Sequence, residues 1–276
     1  MQLTNLQKKA DEIRKEVVDV CLRNGAGHIA PSLSCVDILV SLYFSKLNIP
    51  VSSDLPEWKD RDRLVFSKAH GAYALYAILA DKGLIEKSDW QNFYKGSFLR
   101  GCVERSEKHG LEASCGSLGH GLPMAVGLAF GAKMAGYPWK TYCIMGDGET
   151  QEGTVWEALQ FAAKHNLSNL AIVIDANGLQ AMDFLEDVLT VTGRKNDIPV
   201  KMEAFGCCVR TIDGHDMDSI ESVFSEFKSR GNDDQPFVIV ANTTKGYGVL
   251  SMENIAKFHF RLPTEEEMKQ GVRYDS

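Results

Sequence analysis

The sequence predicts an α/β fold, a parallel sheet covered by helices on both faces. Three observations predict it. Short apolar runs, most of them rich in Ile and Val, recur at 64–66, 141–145, 170–175, 207–212 and 237–241. Segments of helical periodicity separate most of these runs, the alternation that builds parallel strands joined by crossovers. Hydrophobic residues are 44% and charged residues 24% of the 276-residue chain, enough apolar surface to cover such a sheet twice.

Each element has its own signal. Leu3, Leu6, Ala10, Ile13, Val17 and Val20 recur near the helical period, and Asn24-Gly25 ends the segment, which predicts a helix over 3–23. Ser34 precedes Asp37-Ile38-Leu39, and the helical pattern repeats to 47. A polar turn at 60–63 leads into the strand-like Leu64-Val65-Phe66, and a helical segment then runs to Ala80. Residues 96–119 carry Gly and charge with little periodicity, and so long a connection is usually functional or mobile. The stretch 118–135 is glycine-spotted and mostly apolar, with Lys133 its only formal charge. It predicts a buried helix whose glycines allow close packing despite their low helix propensity. Strands at 141–145 and 170–175 flank a helix at 154–165, and strands at 207–212 and 237–241 flank a helix at 217–228. No linker-like stretch, internal repeat or low-complexity segment interrupts the order, so a single domain over 1–276 is expected.

Composition excludes several classes of function. The formal charge is −7, from 30 Lys and Arg against 37 Asp and Glu, with no long-range pull toward nucleic acid or anionic membrane. The 7 cysteines are scattered without a C-x-x-C pair, which argues against a disulfide framework or a zinc site. The first residues, MQLTNLQKKADEIRK, are polar and helical rather than a signal peptide, and no window resembles a membrane span. A reducing cytoplasm is the expected setting.

Ligands of open parallel sheets bind beyond the carboxyl ends of the strands. Two strand ends stand out, Gly146-Asp147-Gly148-Glu149 and Asp175-Ala176-Asn177-Gly178-Leu179. Asp147 and Asn177 would hang as oxygen donors from neighbouring strands, and Gly146 and Gly148 would let backbone N–H groups approach a phosphate. One carboxylate, one amide oxygen and one backbone carbonyl form a partial oxygen shell of the kind magnesium completes with phosphates. Asp-Gly and Asn-Gly also form ordinary turns; the two together, each after an apolar strand, favour the ligand reading. A dinucleotide site is disfavoured, because Gln151 stands where G-x-G-x-x-G needs its third glycine. No Walker-type phosphate loop is present.

GDG at 146–148 followed by Asn177 resembles the thiamine diphosphate signature, and the surroundings resemble the transketolase family. The likeness runs through GAGHIAPSLSCVDIL at 25–39, LVFSKAHGAYALYA at 64–77, CGSLGHGLPMAVGLAFGAK at 115–133, GDGETQEGTVWEALQFAA at 146–163, DANGLQ at 175–180 and TTKGYGV at 243–249. A complete transketolase is more than twice as long. The resemblance therefore implies the amino-terminal, diphosphate-binding subunit of a split enzyme. Its partner would carry the pyrimidine-binding domain, two copies of each chain would form an α2β2 heterotetramer, and 96–119 would order with the partner.

By matching motif, the resemblance implies Asp147 and Asn177 as magnesium side-chain ligands and the Leu179 carbonyl as a backbone ligand. Gly148 would contact the diphosphate, Gly116 and Leu118 would line the cofactor, and Glu152 would lie near the interface, linked to the partner's activating glutamate. His28 and His70 would act beside the thiazolium and donor carbonyl, and His259 near the diphosphate and substrate, as imidazoles can donate to oxygen and move protons near neutral pH. His259 stands in Phe258-His259-Phe260 where the family has Trp-His-Gly. His120 and Lys245 are further candidate substrate-site residues. Cys102 occupies the point where family members carry a histidine that meets the donor sugar. A thiol is a weak donor, so a smaller or less polar donor substrate is an open alternative.

The expected activity is two-carbon ketol transfer from a ketose or ketose phosphate to an aldehyde, with thiamine diphosphate and Mg2+ as cofactors. Acyloin-forming or decarboxylating chemistry on the same cofactor is the nearest alternative. Two further ones are a dinucleotide oxidoreductase and a non-catalytic regulatory subunit.

Overall fold

The computed structural model describes residues 2–49, 60–181, 183–188, 197–231 and 234–274. Its strands are β1 (Arg63–Phe66), β2 (Thr141–Gly146), β3 (Leu170–Ala176), β4 (Cys208–Asp213) and β5 (Phe237–Asn242). They form one sheet in the order β1-β2-β3-β5-β4, with every pairing parallel. The helices are α1 (Leu3–Asn24), α2 (Ile29–Leu33), α3 (Val36–Ser41), α4 (Ala72–Asp81), α5 (Lys87–Gln91), α6 (Gly121–Ala135), α7 (Gly153–Lys164), α8 (Leu185–Val188), α9 (Ile198–Ala204), α10 (Met217–Ser229) and α11 (Glu265–Met268).

Period-two alternation along the strands divides the core in two. Tyr142, Ile144, Val173, Phe237 and Ile239 face a layer containing α1, α3, α4 and α10. Cys143, Met145, Ile172, Ile174, Val238 and Val240 face a layer containing α6, α7 and α9. Both faces of the central strands are thus apolar, as a sheet covered twice requires. The edge strand β4 is only partly buried. Among the described residues, no helix is long and apolar enough to cross a membrane.

Three sequence expectations are corrected. The helix at 118–135 starts at Gly121 and is buried on one side only. Gly127 and Gly131 are exposed, and among the described residues nothing lies within 4 Å of where a Cβ would stand. Close packing holds at Gly121 instead, where a Cβ would come 2.3 Å from that of Ser67. Residues 96–119 are not a structureless connection but pack against their own chain. Bridges between Val103 and Cys115 and between Ser106 and Leu111 fold the segment on itself, while Leu99, Val103, Leu111, Ala113 and Cys115 are buried. The helical segment before 47 divides into α3 and a π-turn at Leu42–Lys46, and the Ser34 hydroxyl ahead of α3 bonds Asp175.

A buried ion pair ties the first helices to the loop after β5. Arg14 on α1 is 1% exposed and bonds Asp37 on α3, which is fully buried. His215 lies 2.8 Å from the same Asp37 oxygen through Nδ1, and its Nε2 accepts the Thr244 N–H at 2.8 Å. That acceptor role places the ring proton on Nδ1, directed at Asp37. The His215 ring stacks on Tyr247 at 3.6 Å.

Burial alone would raise the Asp37 carboxyl, but Arg14 and His215 outweigh it and hold the group below its ordinary 3.8. A carboxyl depressed on folding stabilises the native state above its unfolded value, and that stability is lost as pH falls through the native value. Stability against urea should therefore decline as pH drops below about 4. Asp37→Asn (D37N) should cost up to about 3–5 kcal/mol at pH 7, because it leaves the buried Arg14 guanidinium with only the partly exposed Asp11, 2.8 Å from its other nitrogen, as counter-charge. It should also flatten the acid limb, and urea midpoints measured from pH 7 down to pH 3 check both effects.

Candidate active site

The register of the sheet brings the two notable turns together. Gly146 pairs with Asp175 and Ala176 with Asn242, so β2, β3 and β5 release their chains side by side. Beyond these ends lies a cavity of about 290 Å³. Its lining includes His70, Leu118, Asp147, Gly148, Asn177, Leu179, Lys245 and His259. These are eight of the residues singled out in the sequence.

Asp147 opens a 3₁₀ turn after β2 and is 4% exposed. Its Oδ1 accepts the Gly148 N–H at 2.7 Å, and its Oδ2 accepts the Gly178 N–H at 2.6 Å. The second bond crosses to the other turn and sets the carboxylate beside Asn177. Asn177 Oδ1 accepts the Leu179 N–H at 3.1 Å, which holds the amide oxygen over its own turn. Burial, and then the charge of Asp175, push the Asp147 carboxyl up to about 6.

Beneath the turns lies a second buried pair. Asp175 accepts from Lys68, Ser34 and Thr243. Lys68 Nζ also donates to the Pro31 carbonyl at 2.8 Å and to Ser34 Oγ at 2.9 Å. Burial opposes ionisation of both partners, yet Lys68 is raised and Asp175 lowered, so the pair stays charged.

Glu149, 2% exposed, organises the GDG turn from below. It accepts the Gly146 N–H at 2.8 Å, the Gly119 N–H at 3.0 Å and the Ser67 hydroxyl. The loop before α6 is thereby fastened to the end of β2.

The histidines form a cluster at one side of the cavity. His28 stacks on His70 with ring centroids 4.9 Å apart, and His259 Nε2 lies 3.2 Å from His70 Nδ1. Lys245 Nζ lies 2.7 Å from His259 Nδ1 and donates to the carbonyls of Leu179 at 2.9 Å and Gln180 at 3.0 Å. Burial first, and neighbouring positive charge second, lower His28 to about 4 and His259 to about 3. Burial lowers Lys245 to about 7. The ring of Phe260, 62% exposed, stands 5.5 Å from His28 and 4.6 Å from His259.

The remaining sequence candidates lie outside the cavity lining. His28 touches it through His70. Gly116 is exposed, and a Cβ there would lie 3.8 Å from Cys102 Sγ. Cys102 is half-buried, with its thiol raised by burial, which disfavours the nucleophilic thiolate. His120 is exposed, and its Nδ1 is 3.0 Å from the Leu118 carbonyl. Glu152 stands at the surface, immediately before the first residue of α7.

Sequence reasoning missed Lys68, Glu149 and Asp175 as site residues. Glu149 carried one signal, its place three residues after Gly146, where a carboxylate reaches back to the turn. The pairing of Lys68 with Asp175 spans 107 positions and had none.

Residues 6–273 match the family described as transketolase, thiamine diphosphate binding domain. The chain belongs to this family. Among its relatives is a protein of Phocaeicola vulgatus named as one of the subunits of an apulose-4-phosphate transketolase, 37% identical across 99% of this chain and 94% of that one. A like-named protein from Actinobacillus succinogenes is 40% identical across 97% and 94%. A solved transketolase from Campylobacter jejuni superposes with a TM-score of 0.86 at 29% identity, covering 100% of this chain and 44% of that one. The chain thus spans nearly all of two proteins named as subunits and less than half of a transketolase.

The donor set fits the magnesium diphosphate that this family implies. Asp147 is a buried carboxylate raised by burial and by a like charge, a condition a divalent cation relieves. Hard oxygen donors on two adjacent turns suit magnesium. Gln180 Nε2, buried in the cavity wall with no hydrogen-bond partner among the described residues, is a donor available to an anion.

Glu149→Ala (E149A) strands two backbone N–H groups and a hydroxyl, at roughly 1–3 kcal/mol for each buried group left unsatisfied. Thermal unfolding should show a lowered Tm. An unchanged Tm would mean that the turn holds its shape without this carboxylate.

Proposed function

We propose that this chain is the diphosphate- and magnesium-binding subunit of a two-chain, transketolase-like enzyme. It would transfer a two-carbon ketol unit from a ketose or ketose phosphate to an aldehyde. The observation that carries this reading is the Asp147 carboxylate bonded across to the Gly178 N–H, beside Asn177, at the mouth of two parallel strands. Thiamine diphosphate, when bound, supplies the carbon–carbon bond chemistry.

The roles of the residues follow from their chemistry. Asp147, Asn177 and the Leu179 carbonyl would hold the cation, and Gly148 would give the diphosphate a close backbone approach. Leu118 offers an apolar wall in the same cavity, and Gly116 extends that side toward Cys102. Lys245 brings positive charge near the Leu179 carbonyl, where a diphosphate would need it. His28, His70 and His259 are lowered and so neutral near pH 7, each with one ring donor and one ring acceptor. Such rings can orient a donor carbonyl and hold or move a proton at its oxygen. His120, bonded to its own turn, serves the start of α6 in this reading.

The need for a partner chain is supported by the lengths of the relatives and by an unpartnered face. Glu152, Gly127 and Gly131 are exposed, with Met134 71% and Phe161 41% exposed on the same helices, α6 and α7. A pyrimidine-binding subunit in an α2β2 assembly would cover that face, leave Glu152 beside the partner's glutamate, and complete the active site.

Cys102 favours a second reading, decarboxylative or acyloin-forming chemistry on the same cofactor. Its thiol stands near Gly116 and cannot bind sugar hydroxyls as an imidazole does. Assay of the assembled enzyme with a ketose phosphate and with a 2-oxo acid separates the two, and turnover of the oxo acid alone would reject ketol transfer.

Asp147→Ala (D147A) should weaken magnesium-dependent binding of thiamine diphosphate by at least the roughly 10–100-fold that losing a ligand's supporting partner costs. Calorimetric titration with the partner present checks this, and equal affinity at every magnesium concentration would remove Asp147 from the ligand set. Cys102→His (C102H) should shift relative kcat/KM toward polyhydroxylated sugar phosphates. Identical donor ratios in the variant and the parent enzyme would show that this position does not select the donor.

A further inference from the structure

The buried Lys245 makes contacts that anchoring an anion would not require. Its Nζ reaches three acceptor positions, the Leu179 carbonyl at 2.9 Å, the Gln180 carbonyl at 3.0 Å and His259 Nδ1 at 2.7 Å. Carbonyl oxygens only accept, so two of the three ammonium N–H groups are committed to them. The third is directed at His259 Nδ1. A neutral imidazole that accepts at Nδ1 carries its proton on Nε2. His259 Nε2 lies 3.2 Å from His70 Nδ1, so His70 accepts there in turn. The His70 proton is then on Nε2, the ring nitrogen left to meet a ligand in the cavity that His70 lines.

We propose that Lys245 is a positioning residue that sets the ring tautomer of His70 through His259, so that His70 presents Nε2–H to the bound substrate. The proposal rests on the reading of His70 as a substrate-facing group. It goes further in naming which nitrogen donates and what decides it. A donor in that place stabilises a carbonyl oxygen as negative charge develops on it, and holding the donor in advance avoids reorganisation during the reaction.

The surroundings hold Lys245 still enough for this role. The Thr244 N–H before it is bonded to His215, itself fastened to Asp37. The Lys245 carbonyl accepts the Asn254 N–H at 2.9 Å, and the Gly246 N–H after it donates to the Ala30 carbonyl at 3.0 Å. Gly246 has φ +81°, and a Cβ there would come 2.6 Å from the Met252 carbonyl, so the backbone admits only glycine at that turn. The His70 ring is held in turn by its stack on His28 at 4.9 Å.

Long-range proton–nitrogen correlation NMR on the full chain with 15N-labelled histidine distinguishes the two neutral tautomers. At pH 6 the His259 ring, lowered by burial, is neutral, so its tautomer is defined. His70 and His259, assigned by single substitution of each, should both show the Nε2–H form. Lys245→Met (K245M) should move His259 and His70 to a mixture with Nδ1–H, and Lys245→Arg (K245R) should restore Nε2–H. In the enzyme assembled with its partner, K245M should lower kcat at least tenfold, part of the roughly 10²–10⁴-fold a positioned proton donor contributes. K245R should recover part of that loss. An Nδ1–H form of His70 in the unsubstituted chain would overturn the proposal, as would K245M with both tautomers unchanged. Should K245M fail to fold, the tautomers of the unsubstituted chain still decide. The NMR result needs neither cofactor nor turnover. An unsubstituted assembly without thiamine diphosphate-dependent activity would therefore defeat the proposed function and leave the tautomer result standing.

Discussion

Where β2 and β3 run parallel, Gly146 pairs with Asp175, and both strands release their chains at the same height above the sheet. That pairing is the constraint on which the site depends. It sets the Asp147 carboxylate within 2.6 Å of the Gly178 N–H, and it puts the loop after β5 alongside, because Ala176 pairs with Asn242 one strand further on. A slip of one residue in either strand would send every side chain of that strand to the opposite face of the sheet. The two turns would then part. The apolar residues that lock the register, Cys143 and Met145 against one helical layer and Tyr142 and Ile144 against the other, are therefore also what assembles the cavity.

Buried charge is arranged unevenly around that cavity. Lys68 and Asp175 compensate one another below the turns, and Arg14, Asp37 and His215 do so behind the loop after β5. Asp147 has backbone N–H groups on both oxygens and a carboxyl raised by its surroundings. Paired buried charges recover much of their desolvation, whereas Asp147, whose burial and like charge from Asp175 outweigh the attraction of Lys68, recovers less. That deficit sits at the place where a bound cation would offset it. The histidines beside it are neutral for the complementary reason, since burial and the nearby lysines both disfavour a further positive charge.

A similar unevenness separates the closed side of the molecule from the open one. α4 is buried around most of its circumference, and α1 and α10 bury an apolar stripe. α6 buries Leu122, Ala125, Val126, Ala129 and Ala132 but leaves Gly127 and Gly131 without close neighbours on the other side. Helix glycines carry a cost of roughly 1 kcal/mol each relative to alanine. Among the described residues, no close approach at these two positions offsets it.

Much of this was legible in the sequence. Five apolar runs with intervening helical periodicity specified a doubly covered parallel sheet, and the two turns at Asp147 and Asn177 marked strand ends that line the cavity. These are local signals, carried by side-chain period and turn chemistry over a few residues. Lys68 with Asp175, Arg14 with Asp37, and the chain of bonds from Lys245 through His259 to His70 left no such trace. Their partners lie between 14 and 189 positions apart, where hydrogen-bond direction and burial are properties of the packed chain. Even the half-exposed face of α6 was hidden, since an apolar, glycine-rich run reads alike whether the helix is enclosed or waiting for a neighbour. The order of residues determined the elements and the turn chemistry at their ends; tertiary packing decided which charges meet, because that depends on how strands, helices and loops far apart in the chain are brought against one another.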